Sequence, residues 1–157
     1  FHTDMSQTIL VETRNSKLET RKYEEIRRFL LVGERALNEA ILVAKPGNHV
    51  GHISKIIQDI VEKEGGYSIS RTLIGHGVGR NLHEAPEVPG FLAGSIEKTP
   101  LLTEGMTLAI EIIYNQGGHE VVYASKDGWT IKTKDGSLSG VFERTIAITG
   151  GGPLILT

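Results

Sequence analysis

At 157 residues, 39% hydrophobic and 23% charged, the chain suits one globular domain with a real core. A net charge of −2 supplies no field to draw it to DNA or a membrane surface, and no apolar run approaches the length of a membrane span. The absence of cysteine excludes disulfides, thiolate nucleophiles and cysteine-bound zinc, and no segment reads as a signal peptide.

The opening "FHTDMSQTILV" has no initiator methionine and reads as a turn running into a strand over residues 5–12, as if cut from a longer chain. A polar connector, "TRNSKLET", follows. From about Arg21 to Ala44 the apolar residues Ile26, Leu30, Leu37 and Ile41, with Gly33, recur at three- and four-residue steps and predict a helix. "KPG" at 45–47 ends it. A second helix is predicted from Val50 to Glu64, with Ile53, Ile56, Ile57, Ile60 and Val61 on one face and Gly65-Gly66 as its stop. Beyond Tyr67 the helical period is lost. Short strands are predicted near 67–73, 106–114, 120–124, 128–133 and 140–148, separated by turn signals at "NQGG", "KDG" and "KDGS". The stretch 84–100, with three prolines, reads as a loop. Strand, two helices and then an antiparallel sheet is an α+β layout.

Polar residues stand inside this apolar pattern. Glu111 lies in "MTLAIEIIY" and Glu143 in "LSGVFERTIAIT", strands that read as buried. Asp4 precedes the first strand, and His76 sits between glycines. A buried carboxylate is costly without a positive partner. No Lys or Arg is placed to pair with Glu111, and strand alternation sends Arg144 to the face opposite Glu143. Three carboxylates and an imidazole therefore point to a metal; oxygen-rich donors with one nitrogen suit Mn, Fe, Co or Zn, and three carboxylates can serve two ions. The glycines around His76 would let the backbone approach closely. Against this, a lone histidine at a strand end is usually hydrogen-bonded core, and a lone glutamate usually faces solvent. His2, His49, His52 and His119 read as surface or turn residues.

Four segments together resemble the methionine aminopeptidases of the pita-bread metallopeptidase family: "FHTDMSQT", "GHGVGRNLHEAP", "PLLTEGMTLAIE" and "KDGWTIKTKDGSLSGVFERTIAIT". They occur in the family's order and cover essentially the whole chain. The resemblance implies a partial pita-bread fold, two helices packed on a curved antiparallel sheet, with residues 1–157 as a catalytic metallopeptidase domain lacking its N-terminal part. It implies two divalent ions held by Asp4, His76, Glu111 and Glu143, with Asp4 and Glu143 bridging. It makes His83 a catalytic, substrate-binding residue, Glu111 a general base, and Leu82 and Trp129 walls of a methionine pocket; for Trp129 an ordinary core position is the alternative. The activity implied is removal of the N-terminal methionine from nascent proteins by an activated water, in the cytoplasm, by a monomer, with the ribosome as a candidate partner. An Xaa-Pro aminopeptidase and a non-catalytic protein on the same fold are the alternatives.

The chain departs from the family pattern in places. The family's first metal-binding aspartate and a further substrate histidine lie upstream of "FHTD". Ile112 replaces the usual proline after Glu111, and Arg144 replaces the commoner histidine after Glu143. Both stand beside ligand positions, where neighbours tune metal binding. Exposed apolar surface or an open strand edge is expected where the rest of the fold would sit.

Overall fold

The computed structural model describes residues 1–11, 20–125 and 127–157. Its elements in chain order are β1 (Met5–Gln7), α1 (Thr20–Leu42), α2 (Val50–Gln58), a π-helical turn (Asp59–Glu64), β2 (Ser68–Ile69), β3 (Gly75–Gly77), β4 (Glu84–Val88), a 3-10 turn (Ile96–Lys98), β5 (Thr107–Asn115), β6 (Val121–Tyr123), β7 (Ile131–Thr133), β8 (Ser139–Thr149) and β9 (Gly152–Ile155). Seven strands form one antiparallel sheet in the order β1-β8-β5-β3-β4, with β2 also paired to β5 and β9 to β8. β6 and β7 make a separate hairpin. The α+β expectation holds.

Alternation along β5 divides the sheet into two faces. Leu108, Ile110, Ile112 and Tyr114 join Phe142, Ile146 and Ile148 of β8 in the core. Against them pack Phe29, Ala36, Leu37, Ala40 and Ile41 of α1, and Val50, Ile53 and Ile57 of α2. The expected stripe on α1 is present, but its largest buried member is Phe29, which the periodicity reading passed over; its ring lies against Tyr67 and Tyr114, and its carbonyl accepts the Tyr114 hydroxyl. Gly33 is where α1 presses on the sheet: a Cβ there would meet the Tyr114 hydroxyl oxygen at 2.5 Å and the Phe142 ring at 2.6 Å. The residues between the core positions of β5 and β8, Glu111 and Glu143 among them, belong to the other face, on which no helix packs among the described residues.

Several boundaries differ from expectation for local reasons. The first strand ends at Gln7: the Thr8 N–H still donates to the Val141 carbonyl, but the Val141 N–H passes to the Thr8 hydroxyl, so the reciprocal ladder bond goes to a side chain. The connector "TRNSKLET" falls mostly outside the described residues. The second helix changes to π geometry at Asp59, and the Gly65 N–H reaches back five residues to Ile60 before Gly66, at φ 73°, turns the chain. The strand expected at 67–73 is only β2, because the Ser70 hydroxyl takes the N–H groups of Thr72 and Leu73 and makes a turn. The loop expected at 84–100 contains β4, an edge strand that tolerates Pro86 because an edge needs fewer ladder donors. His2 and His119 are exposed; His49 and His52 are half-buried at the start of α2, where the His52 Nδ1 accepts the His49 N–H.

Phe1, Met5, Ile9, Val11, Tyr123, Trp129, Leu154 and Ile155 are exposed large hydrophobic residues. Among the described residues no helix is long and apolar enough to cross a membrane.

Candidate metal centre

The helix-free face gathers the carboxylates through strand register. Glu111 of β5 stands directly across from Glu143 of β8, and Ser6 of β1 stands across from Glu143 on its other side. Asp4 lies one step before β1, level with Thr145. The Thr145 hydroxyl accepts the Asp4 N–H at 2.7 Å and donates to the Asp4 carbonyl at 2.8 Å, so one side chain clamps that residue at both ends. The Met5 N–H donates to Asp4 Oδ1 at 2.9 Å.

His76 arrives from β3, which pairs with β5 such that His76 faces Ala109, two residues from Glu111. Its flanking glycines allow that approach. A Cβ on Gly75 would lie 2.5 Å from the Ala109 carbonyl oxygen, and one on Gly77 would strike the Ala85 carbonyl. The His76 Nδ1 is 2.9 Å from the Gly77 carbonyl and so carries the proton, which leaves the lone pair on Nε2.

Asp4, His76 and Glu143 each offer a ligand atom within 4.8 Å of the others. Glu111 is not one of these three, but its Oε1 lies 3.1 Å from His76 Nε2. Two features make this a place for a cation. His76 Nε2 and Glu143 Oε1 are buried with no hydrogen-bond partner among the described residues. A lone pair facing a carboxylate oxygen at 3.1 Å also needs a proton or a positive ion near both. Burial, then Glu143 and Asp4, push the Glu111 carboxyl up to about 8. Burial and Asp4 also raise Glu143, partly offset by the Ser6 hydroxyl, 3.0 Å from its Oε2, and by His76. The donors, one imidazole and three carboxylates, fit first-row divalent ions.

His83 lies outside this ligand group. It is exposed, at the end of the 79–83 bend, with its ring 4.2 Å from that of His76. Both line a cavity of about 420 Å³ with Glu84 and Glu87. Leu82 is half-buried beside His83 but does not line that cavity. Trp129 is neither core nor wall in this structure: it is 86% exposed in the β6–β7 turn. Asp127 folds that turn by accepting the N–H groups of Trp129 and Thr130 and the Thr130 hydroxyl, which leaves the indole outside. Ser6 and Thr145 were missed by sequence reasoning. Thr145 had a signal, as a polar residue two places after Glu143 on the same strand face.

An antiparallel sheet with helices on one face and a buried imidazole–carboxylate cluster on the other defines a metalloprotein of the α+β class. Residues 1–150 match Metallopeptidase family M24, and the chain belongs to that family. It is 47% identical to the methionine aminopeptidase of Aquifex aeolicus over 133 residues, which cover 85% of this chain and 51% of that one. It is 40% identical to the Clostridium perfringens enzyme over 157 residues, 100% of this chain and 58% of the relative. The solved methionine aminopeptidase of Thermotoga maritima superimposes with a TM-score of 0.79 at 42% identity, covering 85% of this chain and 52% of that one. The Pyrococcus horikoshii prolidase gives 0.64 at 25% identity, covering 99% and 35%. The fold is that of the pita-bread peptidases, and the chain spans about half the length of these methionine aminopeptidases.

Proposed function

We propose that this chain carries the metal-bearing part of a methionine aminopeptidase, and that residues 1–157 act as its catalytic domain. The observation that carries the reading is the convergence of Asp4, His76, Glu111 and Glu143 with two buried ligand atoms left unpartnered. Asp4, His76, Glu111 and Glu143 would hold two divalent ions; Mn, Fe, Co and Zn all suit the donors. When bound, such ions acidify a water near neutral pH and polarise the scissile carbonyl.

The chain's own residues do the rest. The Glu111 carboxylate, whose Oε1 lies 3.1 Å from His76 Nε2, is placed to accept the proton of the attacking water. His83, next to His76 and open to the cavity, donates a hydrogen bond to the carbonyl oxygen as it gains charge. Ser6 and Thr145 hold Glu143 and Asp4 in place. Leu82, beside His83, is proposed to meet the methionine side chain of the substrate, whereas Trp129, exposed in the β6–β7 turn, is given no part in the pocket. The substrate is the N-terminal peptide of nascent proteins, met at the ribosome in the cytoplasm by a monomer. Greater likeness to the methionine enzymes than to the prolidase favours methionine removal over cleavage before proline.

Calorimetric titration with Mn or Co, alongside hydrolysis of Met-Ala and Ala-Pro peptides, tests the reading. His76→Ala is expected to weaken metal binding on the order of a hundredfold or more, since even outer partners of metal ligands contribute tenfold or beyond. His83→Ala is expected to keep the metal within about threefold while turnover of Met-Ala falls roughly 10²–10³-fold. Unchanged metal binding in His76→Ala, or a preference for Ala-Pro, would overturn it.

A further inference from the structure

The cavity that opens on His76 and His83 has an acidic wall that the reaction does not use. Glu87 of β4 stands directly across from His76 in the β3–β4 register, so it belongs to the metal-bearing face. Opposed residues of an antiparallel pair have Cβ atoms about 5 Å apart. Glu87 is exposed, lines the cavity, and makes no ion pair or side-chain hydrogen bond among the described residues. Glu84 lines it too, but its Oε1 is occupied by the Asn81 N–H at 2.7 Å and serves the 79–84 bend. Lys98 lines an adjoining cavity that shares Ala85 and Glu87 with this one, and it makes no ion pair with Glu87 among the described residues.

An extended peptide advances about 3.4 Å per residue. With its first peptide bond held beside His76 and His83, the chain beyond that bond passes Glu87 within two or three residues. We infer that Glu87 is a specificity-determining residue, favouring a basic side chain at the second or third position of the leaving peptide and disfavouring an acidic one. This rests on the aminopeptidase reading. It follows from an unpaired carboxylate in a cavity otherwise lined by two imidazoles, Ile74, Gly75, Ala85 and an already engaged Glu84. The effect is that of a partly exposed charge pair: attraction for lysine and repulsion of glutamate together separate the two by about three- to tenfold at low salt.

The test uses the whole chain loaded with Mn and peptides Met-Ala-X-X-Ser whose first amide is N-methylated to resist cleavage. X is Gln, Lys or Glu, and binding is followed by fluorescence anisotropy. The Lys peptide should bind about three- to tenfold more tightly than the Glu peptide at 50 mM salt, with the gap narrowing at 0.5 M. Glu87→Gln should bring the ratio to about one, whereas Glu97→Gln, on the exposed 3-10 turn, should leave it intact. A ratio near one in the parent, or one that survives Glu87→Gln, overturns the inference while the Gln peptide still binds. If not even the Gln peptide binds, the aminopeptidase reading falls and takes this inference with it.

Discussion

Glu111 provides a stability measurement that tests the metal centre without any substrate. In metal-free protein its carboxyl is raised from 4.5 to about 8, by burial first and by Glu143 and Asp4 after that. The folded chain then holds the proton more tightly than the unfolded chain. The stabilisation is complete below about pH 4.5 and is lost as pH rises through about 8. Each pH unit in that window is worth about 1.4 kcal/mol, so the metal-free fold loses on the order of 4 kcal/mol across it. Glu143, raised for the same reasons, acts in the same direction. Such a loss is a large share of a domain's usual stability of about 5–15 kcal/mol. Urea unfolding in chelator at pH 5, 6.5 and 8 should therefore show falling stability, and saturating Mn at pH 8 should restore it by mass action. Glu111→Gln carries no charge to bury. Without metal it should be flatter in pH and more stable than the parent at pH 8 by a few kcal/mol, yet bind metal poorly. The reasoning is refuted by a parent whose metal-free stability does not change from pH 5 to 8, or by a Glu111→Gln variant that follows the parent's curve.

Thr145→Val removes the hydroxyl that holds Asp4 at both N–H and carbonyl. Stability should fall by about 1–2 kcal/mol, and calorimetry should show metal affinity about tenfold weaker, because the clamp fixes a ligand rather than being one. Gly33→Ala should destabilise by roughly 1–3 kcal/mol in thermal or urea unfolding, although alanine is the better helix former by about 1 kcal/mol. The added carbon would overlap the Tyr114 hydroxyl and the Phe142 ring, and neither buried ring has room to withdraw.

Pattern alone determined much of this protein. Both helices were written in the spacing of Leu30, Leu37 and Ile41 and of Ile53, Ile57 and Ile60, because burying one face of a helix imposes a 3.6-residue period. β5 and β8 were legible as apolar runs, and Glu111 and Glu143 stood out within them because a charge amid buried residues demands a partner. The chain could not state by itself which partner. That depends on register: Glu111 faces Glu143 only because β5 and β8 pair as they do, and Asp4 reaches them because β1 pairs with β8 and Thr145, 141 residues away, bonds its backbone. Short segments whose hydrogen bonds pass to side chains, such as Thr8 with Val141 and Ser70 with its own turn, escaped the pattern for the same reason. The exposure of Trp129 was likewise decided by the Asp127 turn and not by its bulk. Local sequence sets periodicity and composition, whereas the separation of side chains far apart along the chain is fixed only when the strands pair.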